Sequence, residues 1–246
     1  SFPQLDGELK IQGLRESVQV RRDQSDVTHI QANSPHDAWF ALGFVHAQER
    51  GWQLAFNRRV MHGTLSEVLG PATLETDRLL RVLDIKGAAE RQFQKLPPMA
   101  QEALQRYSDG INAFFKQAPQ ALPPEFHALP GSRPKDDEPM WSPTDSVGWA
   151  LMMALDLGGN WGAEVARLSL AQVLDTEALW QLMPPYPGEK PLSSTDLATL
   201  YRGLGVYRSE KQAQAPIQSG LAQAWALWSR EFVEQAGEAG GKGSNN

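Results

Sequence analysis

Alternating apolar and polar residues near the start of the chain predict two β-strands. In segments 17–21 and 27–31, Val and Ile alternate with polar side chains, which is the period of a strand that buries one face. A polar turn at 22–26 separates the two segments. The sequence therefore predicts a β-hairpin over about 17–31. Because a lone hairpin is marginally stable in water, we expect it to pair with strands from elsewhere.

From Ser34 onward the pattern changes to the three- and four-residue steps of helices. Ser34 is placed as an N-cap, Pro35 at the first helical position and Asp37 at the third, and the run ends at Gly63. A capping box of Thr64 and Glu67 would start the next helix. Further helices are predicted over 64–70, 74–95, 97–116, 143–157, 161–182, 197–204 and 223–235. The fold class is therefore mainly α with a small β-hairpin.

A long connection interrupts these helices. Residues 119–143 contain seven prolines in 25 positions, which predicts an extended loop because proline disrupts regular structure. Phe126, Leu129 and Trp141 are the expected anchors of this loop in the core. The sequence Ser-Pro-x-Asp at 142–145 then predicts a helix start.

Composition excludes several function classes. The 246 residues include no cysteine, so disulfide scaffolds, zinc ribbons and thiol nucleophiles are excluded. The net charge of −6 argues against nucleic-acid binding. The longest apolar run, 147–155, has nine residues, too few to insert into a membrane. The start Ser-Phe-Pro without Met is expected of a chain whose signal peptide was removed, although tag removal or a cloned fragment would look the same.

Most charged candidates have an ordinary structural interpretation. His46 lies between apolar residues on a helix, and we expect a core or interface histidine that is satisfied by a hydrogen bond. Other charged groups are interpreted as helix-surface ion pairs or solvated surface: Glu102 with Arg106, Asp77 with Arg81, and the acidic run 136–138. A Ser-His-Asp triad would need a strand-to-helix turn such as GxSxG, and the sequence has none.

The Gly-rich end, 236–246, offers a different possibility. It contains the dipeptide Gly243-Ser244, which by itself is typical of a flexible terminus or a linker. If a neighbouring fold held this segment, the serine hydroxyl could attack the preceding carbonyl and cut its own chain. The two interpretations cannot be separated by composition.

Several motifs follow one another along nearly the whole chain. They are RDQSDVTHIQA (22–32), DAWFALGFVHAQERGWQ (37–53), Arg58-Arg59, GTLSEVLG (63–70), Asp77-Arg78, YSDGIN (107–112), LPPEF (122–126), WSPTD (141–145), LGGNW (157–161) with Glu164, and GSNN (243–246). In this order they resemble the penicillin acylase family of N-terminal-nucleophile hydrolases, which includes acyl-homoserine-lactone acylases and cephalosporin acylases. The resemblance favours the second interpretation of the Gly-Ser dipeptide.

The resemblance implies that residues 1–235 form the α-chain region of a precursor and that 236–246 form a processing junction. A β chain of the same precursor would complete an αββα four-layer fold. Ser244 would become the N-terminal nucleophile after cleavage of the Gly243–Ser244 bond, with its own α-amine as base. Because Ser244 is still attached, we expect the chain as it stands to be inactive. The family is mostly periplasmic, so a periplasmic or secreted location is expected.

The resemblance also implies binding residues within this chain. Segment 152–158 would line the acyl pocket, with Met153 and Leu157 touching the acyl group; helical core is the alternative for both. Glu164 would help to bind a structural Ca²⁺, or it is an exposed helix acid. No organic cofactor is implied.

The expected reaction is hydrolysis of a small-molecule N-acyl amide. Segment 158–161 resembles the lactone-acylase branch of the family, which implies acyl-homoserine lactones as substrates, with penicillins as a further possibility. The alternative from a different class is a secreted helical binding or interaction module with an inert tail.

Overall fold

The computed structural model describes residues 4, 6–117, 121–133, 139–158 and 161–184. The chain divides into two compact units, residues 1–153 and 154–246. The described part is mainly helical with one two-stranded antiparallel sheet, so the predicted fold class is confirmed. No helix among these residues is long and apolar enough to span a bilayer.

The predicted hairpin is present, with strands β1 (Gln19–Arg22) and β2 (Thr28–Gln31). Gln19 lies opposite Gln31 and Arg22 opposite Thr28. In the turn, the Asp23 carboxylate accepts hydrogen bonds from the amides of Ser25 at 2.9 Å and Val27 at 3.0 Å. These bonds satisfy backbone groups that the two-stranded ladder leaves unpaired.

Helix α1 (Pro35–His62) has the predicted ends. The Ser34 hydroxyl accepts a hydrogen bond from the amide of Asp37 at 3.2 Å, which satisfies one of the free amides of the first turn. Gly63 ends the helix in the left-handed conformation, with φ of 61°, which a glycine adopts without a steric penalty. The sequence did not indicate the local distortion at Arg50, where φ is −131° and ψ is 26°.

The other helices of the first unit follow in chain order, and the last of them crosses the boundary between the units. They are α2 (Ser66–Leu69), α3 (Leu74–Leu83), α4 (Ile85–Phe93), α5 (Pro98–Gln117), α6 (Glu125–Ala128) and α7 (Pro143–Leu157). A 3-10 turn, Pro71–Thr73, precedes α3. The second unit contains α8 (Trp161–Leu170) and α9 (Thr176–Leu182).

Two predicted helices are in fact pairs of helices. The run 74–95 breaks at Asp84, which has φ of 53° and whose carboxylate accepts the amide hydrogen bond of Gly87 at 3.2 Å. One aspartate thus ends α3 and caps α4, a role that the helical period does not reveal. The run 161–182 breaks at 171–175, and Asp175 caps α9 by accepting from the amide of Ala178 at 2.8 Å. The predicted helices at 197–204 and 223–235 lie outside the described residues.

The capping box of Thr64 and Glu67 is wrong. The amides of Leu65 and Ser66 instead donate to the carboxylate of Asp77, both at 2.8 Å, and Glu67 lies 3.3 Å from Arg59. Asp77 supplies both acceptors from α3, and its distance along the chain hid it from a local pattern.

The proline-rich connection contains helix α6, so it is not extended throughout. Phe126 and Trp141 are buried, as predicted for its anchors, whereas Leu129 is only half-buried. The ring of Phe126 packs edge-on against Trp52 of α1 and Phe115 of α5. The connection is therefore fixed to the helical core by its aromatic residues.

The core of the first unit is the crossing of α1 and α5. A Cβ on Gly43 of α1 would lie 1.9 Å from the carbonyl oxygen of Tyr107, and a Cβ on Gly110 of α5 would lie 1.9 Å from that of Phe40. Two glycines facing each other's backbones let the helices approach more closely than any larger residue allows. The rings of Phe44 and Phe114 pack edge to face at 5.6 Å beside this crossing.

Candidate functional site

Helix α7 carries the side chains that the sequence assigned to the acyl pocket, and its start follows the predicted pattern. The amide and the hydroxyl of Ser142 both donate to Oδ2 of Asp145 at 2.8 Å. Asp145 lies in the first helical turn, where a carboxylate is stabilised by the free amide groups. The Ser-Pro-x-Asp motif therefore sets where α7 begins.

Asp145 also joins α7 to the last turns of α1. His62 places Nε2 at 2.6 Å from Oδ1 of Asp145, and the Arg58 guanidinium donates from Nε to Oδ2 at 3.0 Å. The Asp145 side chain is 2% exposed. Burial alone would raise its pKa, but the hydrogen bond from His62, the charge of Arg58 and the Ser142 amide together hold the pKa below the ordinary value of 3.8.

The sequence analysis missed this network. Its signal was the spacing of Arg58 and His62, four residues apart on α1, which puts both side chains on one helical face. The acidic partner is more than 80 residues further along the chain, so no local pattern identifies it.

A second contact lies one turn further along α7. A Cβ on Gly148 would lie 2.8 Å from Sδ of Met61, a buried side chain of α1. Met152 is buried as well. The stripe of Asp145, Gly148 and Met152 lies on one face of α7 at three- and four-residue spacing. On this face α7 meets α1 through the Asp145 hydrogen bonds and through the Met61 side chain, which lies against Gly148.

The two predicted pocket residues have exposed side chains in this chain. Met153 is 49% exposed and Leu157 is 57% exposed, and both lie on α7. The alternative that they are core residues of this chain is therefore wrong. Two large apolar side chains open to solvent are candidates for contact with a ligand or another chain, and contact with an acyl group stays a prediction.

His46 has the structural role that the sequence predicted. Its Nδ1 lies 3.0 Å from the hydroxyl of Tyr107 across the α1–α5 crossing, and burial lowers the pKa of this histidine. The predicted surface ion pairs are wrong: Arg106 pairs with Asp109 rather than Glu102, and Arg81 donates to the carbonyl of Gly63 at 2.7 Å rather than to Asp77.

The remaining predicted site residues lie where the structure gives no side-chain geometry. Glu164 belongs to α8, but its side chain is outside the described residues, as is all of Ser244. The acidic run 136–138 is also outside them. Among the side chains that are described, no group of three or more His, Cys, Asp or Glu could hold a metal ion. The nucleophile and the calcium ligand therefore stay predictions.

Comparison with known proteins identifies the family. The penicillin amidase family model matches residues 17–246, a span that runs from the hairpin to the Gly243-Ser244 dipeptide. The chain belongs to the penicillin amidase family. This assignment agrees with the resemblance found in the sequence motifs.

Curated relatives match over most of the chain. It is 35% identical over 237 residues to acyl-homoserine lactone acylase QuiP of Pseudomonas aeruginosa, covering 92% of this chain and 27% of the relative. It is 34% identical over 248 residues to the penicillin acylase 2 proenzyme of Pseudomonas sp. strain SE83, covering 100% of this chain and 30% of the relative. The chain thus spans under a third of the length of these relatives.

A solved structure is covered over a much larger share of its own chain than these relatives are. The thermostable penicillin G acylase of Alcaligenes faecalis matches with a TM-score of 0.52 and 26% identity, covering 81% of this chain and 97% of the solved chain. The fold described above is therefore shared with one chain of a family member, and that chain is matched almost completely.

Proposed function

We propose that this chain is the α-chain region of a self-processing acylase that hydrolyses N-acyl amide bonds. The observation that carries the proposal is the family match, which continues through Ser244 at the predicted junction. The curated relatives are named acylases, and one is named a proenzyme. The alternative, a helical binding module with an inert tail, is not favoured because it gives no reason for these matches.

In the proposed mechanism, cleavage of the Gly243–Ser244 bond frees the α-amine of Ser244. An α-amine titrates near pH 7.7–8.0, so about half of it is neutral near pH 8 and a smaller fraction is neutral at pH 7. It removes the hydroxyl proton while Oγ bonds to the substrate carbonyl carbon. The carbon–nitrogen bond breaks, the amine leaves with a proton, and water hydrolyses the resulting ester to a carboxylic acid and free Ser244.

The proposed substrates are acyl-homoserine lactones, with penicillins as a second class. The lactone preference is supported by the name of the Pseudomonas aeruginosa relative and by segment 158–161. Met153 and Leu157 would contact the acyl group. Methionine suits a flexible apolar tail because its unbranched side chain adapts to different shapes.

The proposed partner is the β chain of the same precursor, which would complete the αββα four-layer fold and supply the oxyanion-hole donors. The nearly complete match to one chain of the solved acylase supports a division of the precursor near the end of this chain. The hairpin is also a two-stranded sheet within the described residues, so it can extend a larger sheet.

The test of the nucleophile is mass spectrometry of the full-length precursor. We expect a new N-terminus at Ser244 in the natural sequence and an uncut, inactive precursor in Ser244→Ala. Ser219→Ala, another serine beside a glycine, is the matched control and should be processed normally. Normal processing and activity in Ser244→Ala would overturn the proposal.

The test of the substrate class uses the processed enzyme with acyl-homoserine lactones of increasing chain length and with penicillin G. Release of the free fatty acid and of homoserine lactone, measured by mass spectrometry, is the expected result. Opening of the lactone ring with the amide intact would contradict an amide-directed reaction. Release of phenylacetic acid from penicillin G without lactone cleavage would assign the penicillin class instead.

We further propose a structural Ca²⁺ that Glu164 helps to bind, and a periplasmic or secreted location. Ca²⁺ needs about six to eight oxygen ligands, so most ligands would come from residues outside the described part. Glu164→Gln in the processed enzyme should lower the bound calcium measured by elemental analysis, and unchanged calcium would remove Glu164 from the site. Cell fractionation of the full precursor tests the location.

A further inference from the structure

We infer that Asp145, held by Arg58 and His62, is a positioning residue that sets the acyl-chain selectivity of the enzyme. Asp145 itself lies in the first turn of α7 and does not reach the exposed face that carries Met153. It acts by fixing the start of that helix on α1. The inference rests on the proposed function, because it gives a role to the helix that would line the acyl pocket.

The hydrogen bonds of Asp145 with His62 and Arg58 fix both the rotation of α7 about its axis and its position along α1. The two carboxylate oxygens of Asp145 have different partners: Oδ1 faces His62 at 2.6 Å, and Oδ2 faces Arg58 at 3.0 Å. A carboxylate held by donors on both oxygens cannot rotate about its axis or slide along α1 without losing one of them. Because the side chain is buried, a lost partner would not be replaced by water.

The contact of Gly148 with Met61 fixes the same helix one turn later. The ideal Cβ position at Gly148 is only 2.8 Å from the Met61 sulfur, so the backbone of α7 lies directly against a buried side chain. Met61 lies on α1 just before His62. The last turns of α1 therefore contact α7 in two ways, through the ion pair of Arg58 with Asp145 and through the packing of Met61 against Gly148.

The distance from Asp145 to Met153 is short enough for a rigid helix to transmit a displacement from one residue to the other. Met153 is eight residues beyond Asp145 on one continuous helix, which corresponds to roughly 12 Å at 1.5 Å per residue. A small tilt at the first turn would displace Met153, which has no part in the proposed proton transfer. The expected effect is therefore on binding of the acyl group and not on the chemical step.

The chain contains a matched control for this inference. Asp37 occupies the same position in a second Ser-Pro-x-Asp motif, at the start of α1, and is equally buried. Its carboxylate accepts the amides of Arg15 at 2.9 Å and Glu16 at 3.3 Å, which belong to the segment before β1. Asp37→Asn should therefore reduce stability as Asp145→Asn does, but without moving α7.

The experiment compares the processed natural enzyme with Asp145→Asn and Asp37→Asn on acyl-homoserine lactones from four to twelve carbons. For Asp145→Asn we expect KM for the preferred chain length to rise about tenfold, similar to the effect of one lost methylene contact, with kcat nearly unchanged. The ratio of kcat/KM between long and short chains should change. Asp37→Asn should keep this ratio.

If Asp145→Asn does not fold, His62→Ala is the milder variant, because it leaves the Arg58 and Ser142 bonds to Asp145 in place. It should change the chain-length ratio in the same direction by a smaller factor. An unchanged ratio in every folded variant of the network, or an equal change in Asp37→Asn, would overturn the inference. A natural enzyme that cleaves none of these amides would contradict the proposed function itself, which is a separate result.

Discussion

Three buried aspartates connect distant parts of the chain through single hydrogen-bonded carboxylates. Asp37 holds the segment before β1, Asp77 caps the turn at Leu65, and Asp145 joins α7 to α1. Each carboxylate accepts hydrogen bonds from at least one backbone amide, which offsets the cost of burying the charge. For Asp37 and Asp145 these bonds lower the carboxyl pKa, so the folded structure favours their ionised form.

Acid should weaken the fold through Asp37 and Asp145. For each, burial would raise the pKa, but hydrogen bonds to the carboxylate lower it below its ordinary value of 3.8. Stability from a lowered carboxyl pKa is present above the unfolded value and is lost as the pH falls through the folded value. We therefore expect the urea concentration at the unfolding midpoint of the full-length protein to decrease as the pH is lowered from about 5 to about 2.

In the Asp145→Asn variant, stability should depend less strongly on acidic pH. Asp145→Asn has no carboxyl group at this position and leaves Arg58 and His62 without their anion, so it should cost about 3–5 kcal/mol near neutral pH. Its midpoint should also change less steeply in acid. An acid slope equal to that of the natural protein would show that Asp145 does not contribute to the pH dependence.

At the scale of elements, the crossing of α1 and α5 depends on the absence of side chains at Gly43 and Gly110. A methyl group at either position would lie 1.9 Å from a backbone carbonyl oxygen of the facing helix. Alanine is favoured over glycine within a helix by about 1 kcal/mol. A clash between a Cβ and a backbone carbonyl oxygen, however, cannot be relieved by rotating a side chain. The clash should therefore exceed the gain in helix propensity.

Gly43→Ala and Gly110→Ala should each lower the free energy of unfolding by about 3 kcal/mol or more, because the helices must separate. Gly51→Ala is the matched control on α1, since its Cβ would meet side chains rather than backbone, the edge of the Phe115 ring at 3.2 Å and the Pro123 ring at 3.6 Å. That control should change stability by less than about 1 kcal/mol. Thermal unfolding measures all three, and equal effects would contradict the close-packed crossing.

The ends of the elements show what a local pattern can predict. The starts of α1 and α7 were predicted because Ser, Pro and Asp lie within four residues of each other. The breaks at Asp84 and 171–175 were missed because an amphipathic pattern continues through them. The cap of the turn at Leu65 was missed because its acceptor, Asp77, lies in α3, twelve residues further along the chain.

At the scale of the whole molecule, the hairpin exposes much of its apolar surface within the part of the chain that the structure describes. Val20 is 37% exposed and Val27 is 51% exposed, and Arg22 ties the hairpin to Glu49 of α1 at 2.6 Å. Two strands alone protect few backbone groups from water. We therefore expect the hairpin to be stabilised mainly by the β chain.

Hydrogen exchange tests this expectation. In the chain expressed alone, the amides of β1 and β2 should exchange much faster than in the processed two-chain enzyme. The amide of Ile111, at the fully buried α1–α5 crossing, is the internal reference for protection in both samples. Equal protection of the hairpin with and without the β chain would show that it does not extend a larger sheet.

The sequence by itself determined the class of elements, the ends of α1, the start of α7 and the family, because these follow from patterns within a few residues or from motifs in a fixed order. Only the tertiary structure decided which partners the buried carboxylates have and which apolar side chains of α7 are exposed. Arg58 and His62 meet Asp145 across more than 80 residues. Such contacts depend on how helices pack, and packing is a property of the folded chain rather than of any segment.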